Sequence, residues 1–157
     1  MKMKLYEYFR SSASYRVRIA LNLKSVSAET IQIHLLRNGG EQFAPAFRAI
    51  NPQARVPAMV LDDGTTLIQS PAILEWLEET FPEPPLLPRD PIARGRIRAM
   101  AALIACDIHP LNNLAVLAYL REHFAADEAA IGTWYRHWIA TGFEALEQMV
   151  GAPFAAG

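Results

Sequence analysis

Five prolines, Pro82, Pro84, Pro85, Pro88 and Pro91, fall within ten residues. Proline fixes φ and has no N–H to donate, so such a stretch is stiff, extended and unable to enter the interior of a helix or a sheet. The chain must therefore change structure across it. Before it, short strand and helix patterns alternate; after it, every periodic pattern is helical.

In the first part, Lys4 to Phe9 predicts a strand and Ser12 to Lys24 a helix whose Val17, Ala20 and Leu21 share one face. Thr30 to Leu35 alternates Ile31, Ile33 and Leu35 with Gln32 and His34, the period of a strand. Strand, helix and strand in this order make a βαβ unit with parallel strands. Asn38-Gly39-Gly40 then breaks the pattern, and Phe43 to Ile50 predicts a short helix ending before Asn51-Pro52. Pro57–Leu61 and Thr65–Ile68 flank Asp62-Asp63-Gly64, a hairpin signal. Ser70 is expected as the N-cap and Pro71 as the first residue of a helix that carries Ile73, Leu74, Leu77 and Phe81 up to Pro82. The resulting order is β-α-β-α-β-β-α, with the hairpin added antiparallel to a parallel pair.

Beyond the prolines, Ile97, Met100, Ala101, Ile104, Ile108 and Leu111 sit at helical spacing, with Pro110 expected to kink or interrupt the run. Ile131, Trp134, Tyr135, Trp138, Ala145, Leu146 and Met149 mark a further amphipathic helix after Asp127. The expected organisation is an α/β domain over residues 1–81, a proline-rich linker over 82–90 and an all-α domain over 91–157.

Composition limits the function classes. With 15 Lys+Arg against 16 Asp+Glu among 157 residues, the formal net charge is −1, which gives no global attraction to nucleic acid or to anionic membranes. The cluster Arg89, Arg94, Arg96 and Arg98 predicts a solvated helix face. Cys106 is the single cysteine, so no intramolecular disulfide and no cysteine-rich metal site can form; it lies in an apolar run and is expected to be a small buried hydrophobe. Met1 to Arg10 lacks the apolar core of a signal peptide, and no run of eighteen apolar residues occurs. The expectation is a cytoplasmic protein with no metal, membrane or nucleic-acid partner.

Three junctions of the first domain carry polar groups suited to a ligand. Ser11-Ser12-Ala13-Ser14-Tyr15-Arg16 opens a helix, where free N–H groups, a partial positive charge and hydroxyl donors suit a thiolate or carboxylate, or where the serines are ordinary caps. Val56-Pro57 heads a strand; a cis bond there would turn the Val56 N–H and C=O away from the sheet toward an extended peptide, whereas a trans bond would be an ordinary strand start. Gln69-Ser70 caps the helix after the hairpin, as a plain cap or as an anion site. Ligands of open α/β folds favour the carboxyl ends of the strands, and these junctions could line one such edge together.

The residues at these junctions resemble those of the glutathione transferases, and within them the zeta class. Ser11-Ser12-x-Ser-x-Arg16-Val17-Arg18-Ile19-Ala20-Leu21 is similar to the zeta signature. Asn51-Pro52-Gln53-x-x-Val56-Pro57 and Gln69-Ser70-x-Ala72-Ile73 are similar to the family's glutathione-binding segments, and Asp107-Ile108-His109-Pro110-Leu111-Asn112-Asn113-Leu114 again resembles zeta members. The likeness runs from about Lys4 to about Val150.

The resemblance implies a thioredoxin-like N-terminal domain, a helical C-terminal domain and a homodimer. It implies glutathione as cofactor and a cis–trans isomerisation of a dicarboxylic acid of maleylacetoacetate or maleylpyruvate type, through thiolate addition, bond rotation and elimination. Transfer to α-halo acids, or a non-catalytic interaction protein on the same fold, are the alternatives. By position, Ser11 or Ser12 would stand beside the glutathione sulfur, Ser11 as the activating hydroxyl, with Ala13, Ser14, Tyr15 and Arg16 also among the glutathione-binding residues. Gln42, Val56 and Pro57 would hold the glycyl and cysteinyl parts, Gln69 and Ser70 the γ-glutamyl carboxylate, and His109 and Asn113 would add contacts from the helical side. Arg16 is also the candidate for a substrate carboxylate, and His109 could equally be structural.

Two departures from the family stand out. Ala13 occupies the place of a cysteine in the Ser-Ser-Cys motif, so chemistry that needs a protein thiol there is put in doubt. Family members also continue past the equivalent of Gly157 with a Gly-Asp-x-Pro-Thr-x-Ala-Asp segment. The helical domain is therefore expected to be partial, with Trp134, Trp138 and Leu146 short of packing surface.

Overall fold

A computed structural model describes residues 2–151, which fall into two compact units, one up to Leu86 and one from Leu87 onward. The expected end at Gly157 lies outside the described residues.

The first unit runs β1 (Lys4–Glu7), α1 (Ser12–Leu23), β2 (Glu29–Gln32), two short 3-10 turns, α2 (Pro45–Arg48), β3 (Ala58–Val60), β4 (Thr66–Ile68) and α3 (Ser70–Thr80). The sheet order is β2-β1-β3-β4; β1 is parallel to β2 and antiparallel to β3, with Leu5 opposite Met59. This is the element order that the pattern of periods predicts and the thioredoxin-like fold that the resemblance implies. The β3–β4 hairpin closes where expected: Leu61 N–H donates to the Thr65 carbonyl at 2.9 Å, Asp63 Oδ1 accepts from Thr65 N–H at 2.8 Å, and Gly64 takes φ +87°, a conformation costly for any residue with a Cβ.

β2 is shorter than its alternation predicts. Ile33 N–H still reaches the Glu7 carbonyl at 2.7 Å, but the His34 N–H turns to Glu41 Oε2 at 2.6 Å and leads the chain away from the sheet. Side-chain alternation marks the strand, and a side-chain acceptor seven residues later ends it.

Met3, Leu5, Val17, Ala20, Leu21, Met59, Ile73 and Leu77 form one buried cluster between the sheet and helices α1 and α3. On the other sheet face Tyr6 meets Phe47 of α2, ring centres 6.0 Å apart. Glu7 shares the inner face with Leu5 and is buried, where Arg18 and Gln32 donate to its carboxylate. At the far end of the core, Lys24 is paired with Glu78 at 2.7 Å and donates to the carbonyls of Phe81 and Pro84. Glu78 in turn accepts from Leu86 N–H. The first half of the proline segment is thus pinned to this unit and is not a free spacer.

The second unit contains α4 (Pro91–Ala102), a π turn (Leu103–Ile108), a 3-10 turn (Pro110–Asn112), α5 (Leu114–Phe124) and α6 (Glu128–Met149). Asp90 and Asp127 cap α4 and α6 through Ala93 N–H and Ala130 N–H, each at 2.8 Å. Pro110 brings no N–H, and the helix widens just before it, so that His109 N–H reaches back to Ile104. Residues 91–124 are together long and apolar enough for a membrane span by length and composition, a property that core helices share; the π turn and Pro110 divide them.

Cys106 is exposed, against the expectation of burial. Two residues from the buried Ile108, it lies about 200° around the helix, on the opposite side. At Gly142 of α6, a Cβ would come within 2.3 Å of Ile108 Cγ1. Gly142→Ala is expected to lower stability by about 1–3 kcal/mol, less the gain in helix propensity, in a thermal or urea melt. An unchanged midpoint would mean that Ile108 swings aside freely.

Candidate functional site

Ser11 has extended dihedrals (φ −76°, ψ 117°) and caps α1, its Oγ accepting from Ser14 N–H at 3.2 Å. A hydroxyl that accepts a hydrogen bond keeps its own proton to donate, so Ser11 can cap the helix and donate to an anion at once. Ser12 is the first helical residue and is exposed, Ala13 is half-buried, and Ser14 is buried with no partner for its hydroxyl among the described residues. Tyr15 is exposed, with the Arg18 guanidinium 5.2 Å from its ring centre. Arg16 points to the third junction: its Nη1 donates to Ser70 Oγ at 3.1 Å.

Gln69, not Ser70, is the N-cap of α3, and it makes no side-chain cap bond. The left-handed φ of Gln69, +70°, completes the chain reversal one residue early, so that Ser70 and Pro71 are the first two helical residues. The Ser70 hydroxyl is then free of capping duty and bonds Arg16. The start of α3 combines backbone N–H groups, a hydroxyl and a guanidinium, the groups a carboxylate needs. The Gln69 side chain donates to Gln53 Oε1 at 2.8 Å, tying this junction to the loop before β3.

That loop is built by Asn51, a residue the motif contained but to which no role was attached. It is 1% exposed; its Nδ2 donates to the Arg55 carbonyl at 2.7 Å and its Oδ1 accepts from Gln53 N–H at 3.0 Å. An asparagine followed by proline at the end of a helix was the available signal. The loop delivers a cis Val56-Pro57 bond, and the Val56 N–H and C=O have no partner among the described residues. Asn51→Ala is expected to cost about 1–3 kcal/mol, the range for leaving a buried polar group unpaired, and to weaken ligand binding at the loop. Urea melts and calorimetry on one sample set would separate the two effects; full retention of both would show that the loop holds its shape without the asparagine.

Gln42 lies on the loop after β2. It is buried, its Nε2 donates to the Leu35 carbonyl at 3.3 Å, and its Oε1 has no partner among the described residues. Gly40 must be glycine here: at φ +105°, a Cβ would fall within 2.6 Å of the Gln42 amide. His109 and Asn113 belong to the second unit. His109 closes the π turn through its backbone, and Asn113 caps α5, Oδ1 accepting from Ala115 N–H at 2.9 Å. Among the described residues no group of three His, Cys, Asp or Glu side chains could hold a metal ion.

A family model described as the N-terminal domain of glutathione S-transferase matches residues 10–80. The maleylacetoacetate isomerase of Pseudomonas aeruginosa is 52% identical over 149 residues, covering 95% of this chain and 70% of that protein. A maleylpyruvate isomerase described as a bacterial zeta-class glutathione S-transferase superposes with TM-score 0.89 at 51% identity, over 96% of this chain and 69% of that one. The maleylacetoacetate isomerase of Methylobacterium extorquens AM1, solved with malonate and GSH bound, gives TM-score 0.90 at 42% identity, over 98% of this chain and 71% of its own.

Proposed function

The chain belongs to the glutathione S-transferase family, in its zeta class, and on that premise we propose that it catalyses glutathione-dependent cis–trans isomerisation of a conjugated dicarboxylic acid of maleylacetoacetate or maleylpyruvate type. The observation that carries the proposal is the Ser11 hydroxyl, capping α1 through Ser14 N–H while keeping a proton to give.

The residues fit a glutathione tripeptide. Arg16 and Ser70 at the start of α3 suit its γ-glutamyl carboxylate, the unpaired Val56 amide and carbonyl suit its peptide backbone, and Gln42 offers a buried acceptor with no protein partner. When bound, glutathione would supply the thiol nucleophile that adds to the activated double bond and leaves unchanged after the bond has rotated.

The protein's own task is to favour the anionic sulfur. Lowering a thiol pKa by about two units requires roughly 2.7 kcal/mol. A hydrogen bond from Ser11 to an anion and the partial charge at the start of α1 together reach that size, each contributing about 1–2 kcal/mol. Serine is too weakly acidic to act as the base. Ala13 offers no thiol, so no mixed disulfide forms at that position. The bond from Arg16 to Ser70 supports a role for its guanidinium at the anion site of α3, beside the role toward a substrate carboxylate that the resemblance implies. The proposed working form is a cytoplasmic homodimer.

Two measurements test this. The protein should be retained by a glutathione resin, and a maleyl substrate should change absorbance only when protein and glutathione are both present. Retention without turnover would leave a glutathione-binding protein of the same fold, and no retention would refute the reading.

A further inference from the structure

We propose that His34 is a positioning residue whose neutral imidazole latches the loop presenting Gln42, so that affinity for the glutathione backbone falls when His34 is protonated. The affinity part rests on the glutathione reading above; the latch itself rests on this loop alone.

His34 Nδ1 accepts from two successive backbone amides, Arg37 N–H at 2.9 Å and Leu36 N–H at 3.2 Å. The backbone of the same residue is tied across the loop: its N–H donates to Glu41 Oε2 at 2.6 Å and its carbonyl accepts from Glu41 N–H at 2.9 Å. The next pair repeats the link, Gln42 Nε2 donating to the Leu35 carbonyl. Gly40 N–H closes the turn onto the Arg37 carbonyl at 2.8 Å. The ring is fixed in place, its centre 5.0 Å from that of Tyr8 and 6.4 Å from that of Phe9. One imidazole nitrogen thus organises residues 36–37, and the turn they make delivers Gln42.

Only neutral imidazole has a nitrogen that accepts; imidazolium carries N–H at both positions. Protonation would set an N–H against two N–H groups and end both bonds, and histidine is the side chain whose ordinary charge change falls between about pH 5 and 8. Of the charged and titratable side chains among the described residues, the Tyr8 ring lies against the imidazole and the Glu41 carboxylate accepts from the His34 backbone N–H, while Arg37 contributes its backbone amide. Loss of the turn frees the Leu35 carbonyl from its register with Gln42, and Gln42 loses its fixed direction.

The test uses the full chain, His34→Asn and His34→Ala. An asparagine oxygen accepts from amides two and three residues on and does not titrate, so His34→Asn should restore the latch without the pH response. Hydrogen exchange of the peptide over residues 35–42, corrected for intrinsic rates, is measured at about pH 7.5 and about pH 5.5. Protection should be lost at the lower pH in the parent chain, stay constant in His34→Asn and be low at both pH values in His34→Ala. Calorimetry with S-methylglutathione, which has no thiol to titrate, should show the same pattern in affinity.

Equal pH responses in the parent and His34→Asn, or none in the parent, overturn the proposal, because His109 and every other histidine is common to both. A pH-dependent loop in a chain that fails to bind S-methylglutathione at about pH 7.5 would refute the glutathione reading and the affinity claim while upholding the latch. Binding with pH-independent affinity would refute the affinity claim alone.

Discussion

Lys24→Met is expected to cost the first unit about 3–5 kcal/mol, a large share of the 5–15 kcal/mol that stabilises a domain. The ammonium has no exposed side-chain surface and the Glu78 carboxylate facing it at 2.7 Å is 8% exposed, so neither charge can recruit water in place of its partner. Methionine fills the aliphatic volume and removes the buried cation that faces the carboxylate at 2.7 Å. It also strands the carbonyls of Phe81 and Pro84, which Lys24 holds at 2.6 and 3.0 Å. Urea unfolding would measure the loss. Adding Glu78→Leu should recover much of it, because an apolar pair of similar volume is often as stable as a buried ion pair. Recovery stays partial, since the Leu86 amide then loses its acceptor. A Lys24→Met protein within about 1 kcal/mol of the parent would mean that water reaches Glu78, and that the start of the proline segment is held by packing alone.

Ser11→Gly is expected to reduce isomerase turnover by about ten- to thirtyfold, the rate equivalent of one hydrogen bond of about 1.4–2 kcal/mol to an anion. Glycine is the informative replacement because as an N-cap it costs only a few tenths of a kcal/mol relative to serine, so the helix start survives while the donor is removed. Ser11→Ala would remove the cap as well and lower stability by about 1 kcal/mol. Retention on a glutathione resin should persist in both, since Arg16, Ser70 and the Val56 backbone are untouched. Turnover at the parent level in Ser11→Gly would transfer the role to Ser12, which is exposed at the first position of the same helix.

Much of the site was legible because motif residues are tied to local geometry. Ser11 caps a helix because serine before an apolar-periodic run is the standard start, and the hairpin closes at Asp63-Gly64 because that pair suits the turn. Ser70 was misplaced by one position, since propensity does not report that Gln69 would take a left-handed conformation and release the hydroxyl to Arg16, 54 residues away. Asn51, Gln53, His34 and Glu41 were missed as organisers for a related reason. Their bonds shape loops, and loops carry no period to read. Cys106 was placed inside on apolar context, and helix phase put it outside.

By itself, the sequence determined the order of strands and helices and the break at the proline segment, since each follows from local periodicity or dihedral limits, while the class of chemistry came from the likeness of its motifs to those of a known family. Only the tertiary structure decided which side chains share a site. The pairing of Arg16 with Ser70, the link from Gln69 to Gln53 and the burial of Lys24 against Glu78 join residues 16 to 54 positions apart. Such contacts form when the sheet brings distant loops to one edge, and their energies depend on burial that no local pattern encodes.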